Sequence, residues 1–214
     1  MTFFYAKTSR VFSRCGLAVC AIYLAACAPL IETEPPPTRY NLTPKSTFPE
    51  NMPMVDWQLV INEPIAARGL DTTRIVARPS PTQLQYIAGS RWTNRAPRMV
   101  QTLIVESFEN SGKIIAVGRQ AIGLRSDYNL KTELREFQVE FYDGEKIGRV
   151  RVRINAKLIA QPQQVIIASK NFERVAQADS ENMQTIIDAF DKALGGVLKR
   201  LVIWTLATPD TLVK

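Results

Sequence analysis

Histidine is missing from all 214 residues. With it go the usual general base near neutral pH, the Ser/His/Asp and Cys/His arrangements, and the commonest metal ligand. Phosphate-cradling loops are missing too, because Gly112, Gly118 and Gly123 fit neither a G-x-G-x-x-G nor a G-x-x-x-x-G-K pattern. Nothing calls for a nucleotide, a metal or another cofactor. Carboxylates remain, and Glu133, Glu136 and Glu140 lie close in sequence. On a strand beside Lys131 and Arg135, however, they suit a solvated face better than an acid/base pair. A carboxylate-based hydrolase is the least supported class, and the chain is not expected to be an enzyme.

Cysteine is scarce, with three in the chain at Cys15, Cys20 and Cys27. All three sit in a region that reads as a processing segment. Lys7, Arg10 and Arg14 precede an apolar run from Gly16 to Ala26 that is short for a bilayer span. The run closes on Leu24-Ala25-Ala26-Cys27, which resembles the lipobox of bacterial lipoproteins, where the cysteine thiol accepts diacylglycerol. The expectation is a signal peptide over residues 1–26 and lipidation at Cys27. A retained anchor helix or an ordinary secretory cleavage are the other readings. Ala28 stands where similar lipoproteins kept at the inner membrane carry aspartate, so the resemblance implies the outer membrane, with the domain facing the periplasm.

Cleavage would discard Cys15 and Cys20, leaving no second thiol for a disulfide even in an oxidising compartment. The fold must then hold by its core. Cleavage also removes Lys7, Arg10 and Arg14 from the 27 Lys and Arg that face 20 Asp and Glu, leaving 24 against 20. So mild an excess does not call for nucleic acid.

What the chain does have is proline near its start. Residues 27–53 hold seven of the 13 prolines, including Pro35-Pro36-Pro37, and read as a semi-rigid tether. A folded region over 54–207 follows, with 208–214 as a C-terminal tail. Val55, Trp57, Leu59 and Ile61 alternate with a period of two, predicting a strand. Arg74 to Ala77 and Gln83 to Ala88 flank Pro79-Ser80-Pro81, predicting a hairpin. Asn94 as N-cap and Pro97 in the first turn predict a helix carrying Val100, Leu103, Ile104 and Phe108 as far as Gly112.

Ile114 to Val117 reads as a short strand. Tyr128, Leu130, Thr132 and Leu134 then alternate until Phe137, Val139 and Phe141 take over the opposite phase, predicting a bulge near Arg135. After a turn at Asp143-Gly144, Val150 to Ala160 alternate strictly. A strand from Val165 to about Val175 has a mixed pattern that suggests a second bulge near Lys170-Asn171. A helix from about Ser180 to Thr205 carries one long apolar stripe. Inside it, Gly195-Gly196 marks either a close approach or a mere irregularity. Together these give an α/β (α+β) domain, a largely antiparallel sheet of six or seven strands with two helices on one face.

Two segments stand out as candidate interaction sites. Arg149, Arg151, Arg153 and Lys157 form a basic row on one strand face, able to meet anionic lipid or an acidic partner. The alternative pairs them with Glu133, Glu136 and Glu140 across the sheet. Arg91, Trp92 and Arg95 place an aromatic between two cations at a helix entry, and Trp92 is either a staple on that helix or an interface anchor.

Several segments, in order, resemble a known family. They are Tyr40-Asn41-Leu42-Thr43-Pro44, Asp56-Trp57-Gln58-Leu59-Val60 with Glu63-Pro64, and Leu70-Asp71-Thr72-Thr73-Arg74-Ile75. Leu84-Gln85-Tyr86-Ile87-Ala88-Gly89-Ser90-Arg91-Trp92 follows, running on to Arg95-Ala96-Pro97, then Val100-Gln101, Ser111-Gly112, Leu134-Arg135-Glu136-Phe137 and Ala189-Phe190-Asp191. This series is similar to the ABC-type transport auxiliary lipoprotein family, which includes the paraquat-inducible protein C type. The resemblance implies a non-enzymatic outer-membrane lipoprotein serving an ABC transporter with a mammalian-cell-entry (MCE) subunit, in traffic of lipids or hydrophobic compounds. Implied partners are the outer membrane, the MCE subunit, phospholipid and further copies of the chain. A structural envelope lipoprotein that scaffolds an assembly is the alternative function.

Overall fold

Alternation with a period of two sends successive side chains to opposite sheet faces, and this organises the molecule around its longest strands. The computed structural model describes residues 35–119 and 125–212, so Cys27 and the expected signal peptide lie outside the described residues. In chain order the elements are β1 (Thr38–Tyr40), β2 (Val55–Ile61), β3 (Ile65–Ala66), β4 (Arg74–Ser80), β5 (Gln83–Trp92), α1 (Ala96–Ser111), β6 (Ile114–Arg119), β7 (Tyr128–Glu140), a 3-10 turn (Tyr142–Gly144), β8 (Arg149–Ala160), β9 (Val165–Gln177) and α2 (Met183–Leu212). The class is α+β. The described sheet has nine strands rather than six or seven, because β1 and β3 are too short to show a period.

The long pairings, β7 with β8 and β8 with β9, are antiparallel, as is the β4–β5 hairpin. The other edge of β7 receives β2, β3 and β4 in succession, each by a short parallel pairing. β6 adds in parallel to β2, and β1 in parallel to β5. The bulge in β7 falls at Arg135, since Leu134 faces Ile154 and Glu136 faces Arg153. The β9 irregularity is displaced from the expected Lys170-Asn171: Ile166 pairs with Ile159 and Ala168 with Leu158, which puts it at Ile167. The mixed pattern further along has another cause. β9 is an edge strand, and Lys170 and Arg174 sit at positions facing the same side as the core residues Ala156 and Val152.

On β8, Val150, Val152, Ile154, Ala156 and Leu158 are fully buried beneath α2, whose Phe190, Leu194, Val197, Leu198 and Leu201 are also fully buried. α1 ends as expected at Gly112, which adopts φ 60° and returns its N–H to Glu109 O at 3.0 Å. Its start differs. The N-cap position is Arg95, not Asn94, and no side chain caps it, because a guanidinium has no acceptor to offer and Pro97 has no N–H to give; the Ala96 N–H is met instead by Thr72 O at 3.0 Å. α2 begins at Met183 and continues to Leu212, beyond Thr205, so the expected tail at 208–214 is helical over its described residues. Thr205, Leu206 and Thr208 remain buried, and their packing carries the helix onward.

The stretch read as a tether through Pro53 is engaged with the domain from Thr38 onward. β1 pairs with the end of β5, Leu42 and Met52 enter the core, and Thr43 bonds Asp191 of α2 through its N–H at 2.6 Å and its hydroxyl at 2.7 Å. Lys45 N–H donates to Ser107 of α1 at 2.9 Å. Prolines remove backbone donors but leave carbonyls and neighbouring N–H groups free to pair, so proline richness alone did not mark a free segment. The unit that starts at Pro37 therefore includes this strap across both helices.

Candidate functional site

The segment Arg91 to Arg95 separates into three environments. Trp92 is 1% exposed, with its ring 5.1 Å from Phe190 edge-to-face and 5.5 Å from Phe137. It joins β5, β7 and α2 as a core residue and is not available as an interface anchor. Arg95 donates from Nε to Asp71 Oδ1 at 2.6 Å and reaches Glu63 at 3.3 Å, tying the loop before β4 to the start of α1. These carboxylates push its pKa up, the Asp71 hydrogen bond most of all. Arg91 points away from Trp92. In register it lies beside Arg39 of β1 and Arg74 of β4, and Arg74 stacks over Tyr86 at 3.6 Å. None of these three arginines has a carboxylate partner among the described residues. Like charges side by side on neighbouring strands disfavour the sheet, so an outside anion would relieve them.

The basic row of β8 divides likewise. Arg149 and Arg151 both bind Glu140, at 3.2 and 2.8 Å, and Arg151 also pairs with Glu173 of β9. Arg153 binds Glu136 at 2.7 Å, and Arg78 of β4 shares that carboxylate at 3.2 Å. Glu140 is only 2% exposed. Burial, the largest single influence, pushes its pKa up, but hydrogen bonds from Arg151 and Gln138 and the charge of Arg151 outweigh it and hold the carboxyl below its ordinary value. Arg151 is pushed up in return, chiefly by its hydrogen bond to Glu140. Glu133 pairs with Arg135 instead. Lys157 stands apart, exposed, opposite Lys131, and without an ion pair among the described residues. Three of the four row cations are thus neutralised within the sheet.

A third region went unnoticed in the sequence. Where β9 meets the C-terminal half of α2 lies a groove of about 560 Å³, lined by Ala168, Phe172, Ile203, Trp204 and Ala207, with Lys170 and Arg200 alongside. Phe172 and Trp204 meet edge-to-face at 5.5 Å. The signal was present as cations in the core phase of β9, Lys170 and Arg174 alternating with Ala168, Phe172 and Ala176. Among the described residues, no group of three or more His, Cys, Asp or Glu side chains is placed to hold a metal, and no helix is long and apolar enough to cross a membrane.

Known proteins share this fold. Protein XCC0632 from Xanthomonas campestris, of the DUF330 family, is 36% identical and superimposes with a TM-score of 0.77 over 82% of this chain and 98% of that one. A crystal structure of an uncharacterized protein matches at 13% identity with a TM-score of 0.61, covering 78% of this chain and 97% of its own, a likeness of fold alone. Uncharacterized protein bll6063 from Bradyrhizobium diazoefficiens is 30% identical over 148 residues, 69% of this chain. The chain spans 39% of the length of that relative. Residues 40–202 match the model of the ABC-type transport auxiliary lipoprotein component, and the chain belongs to that family.

Proposed function

We propose that this protein is a non-enzymatic accessory of an ABC transport system with an MCE subunit, acting in the passage of lipids or hydrophobic compounds between the two membranes. The family match over residues 40–202 carries this reading, since it spans β2 to β9, α1, the strap from Tyr40 onward and the first two thirds of α2. In it, Cys27 bears acyl chains in the outer membrane, and the proline-containing residues that follow link that anchor to the domain. The domain then faces the periplasm and meets an acidic surface of the transporter through Arg39, Arg74 and Arg91.

Affinity capture of the full chain from solubilised membranes should recover an MCE subunit. The double variant Arg74→Glu/Arg91→Glu should lower that recovery about tenfold, and raised salt should mimic it. Clean recovery of the chain without any such subunit would sink the proposal.

A further inference from the structure

Two cations beside the β9–α2 groove are unlike those of the basic row. Lys170 and Arg200 are exposed and have no carboxylate partner among the described residues. Lys170 Nζ sits 5.8 Å above the Phe172 ring, while Arg200 donates to the main-chain oxygens of Gly196 and Glu173. Beneath them, Phe172, Ile203, Trp204 and Ala207 form an apolar floor. The volume of about 560 Å³ falls within the range of small-molecule sites. An apolar trough with positive charge at its rim matches a molecule with a hydrocarbon chain and an anionic head.

We propose that this groove binds an anionic phospholipid, one acyl chain lying over Phe172 and Trp204 and the headgroup phosphate met by Lys170 and Arg200. This deepens the transport reading by naming a cargo chemistry, and it rests on that reading only for the nearness of a phospholipid membrane. Cations on the core side of an edge strand also discourage edge-to-edge pairing. That role needs neither an apolar floor nor Arg200, which belongs to α2.

The test uses the full lipidated chain in phosphatidylcholine vesicles that contain phosphatidylglycerol with a photoreactive acyl chain. Crosslinks should map to residues 168–172 and 203–208, about tenfold above those from photoreactive phosphatidylcholine, a preference of the size a charge-assisted contact gives. Lys170→Gln/Arg200→Gln should bring labelling down to the phosphatidylcholine level. Ala207→Trp, which fills the trough, should suppress labelling by both lipids. Equal labelling by the two lipids, labelling unchanged in the variants, labelling along the whole β9 edge, or none because another copy covers the seam would each overturn the proposal. Transporter capture from the same membranes is read separately: labelling lost with capture kept refutes the groove alone, and capture lost with labelling kept refutes the transport role alone.

Discussion

Single residues set how firmly the sheet is held. Glu140 is a buried acid shared by two arginines, and Glu140→Gln would leave Arg149 and Arg151 side by side on β8 with one carboxylate fewer. A loss of about 2 kcal/mol is expected by denaturant titration, less than a fully buried pair would give because both guanidinia are partly solvated. The pH dependence follows from the lowered pKa of Glu140. Its stabilisation is complete above the ordinary carboxyl value of 4.5 and disappears as pH falls through the lower folded value, so the Gln variant should show a flatter acid limb. Trp92→Ala should cost about 3–5 kcal/mol by removing the ring that joins Phe137 to Phe190. The two helix glycines separate cleanly. A Cβ at Gly195 meets nothing within 4 Å, whereas one at Gly196 runs into the Arg174 side chain of β9. Gly195→Ala should raise stability by roughly 0.5–1 kcal/mol in a thermal melt, and Gly196→Ala should fall short of that gain.

At the level of elements, legibility tracked length and phase. The strict alternation of β8, the phase switch at Arg135 and the Gly112 stop were readable because each is a local pattern with a local cause. The cap of α1 was not, because its partner, the Thr72 carbonyl, is distant in sequence. The strap was missed for the same reason: its hydrogen bonds run from Thr43 to Asp191 and from Lys45 to Ser107, far along the chain. Of the candidate side chains, composition found the cations but could not tell neutralised ones from unpaired ones, since that depends on which strand lies alongside. Segments that carried the family resemblance prove to touch one another, Thr43 with Asp191, Arg95 with Asp71 and Glu63, Trp92 with Phe190. They encode junctions of the fold. Asp191→Ala should therefore loosen the strap selectively, with faster amide exchange over residues 38–45 and little change in β8.

For the whole molecule, the two sheet faces divide the work. One is covered by helices, and the other balances arginines against glutamates toward β8 while leaving Arg39, Arg74 and Arg91 unbalanced near the point where the chain enters the domain. A Cys27→Ala chain should keep this fold by circular dichroism yet fail to complement a deletion strain, because in the proposed reading function depends on attachment. In the same reading, attachment would make the strap a mechanical part. Tension on a membrane-fixed end would load β1 and the Thr43–Asp191 clasp before it reached β2. Releasing residues 38–53 would free a segment of at most roughly 50 Å at 3.1 Å per residue, its gain in reach being that length less the span it already covers. A force–extension trace of the anchored protein should show that release as a separate early step, in which Leu42 and Met52 leave the core while the sheet from β2 onward and both helices stay folded.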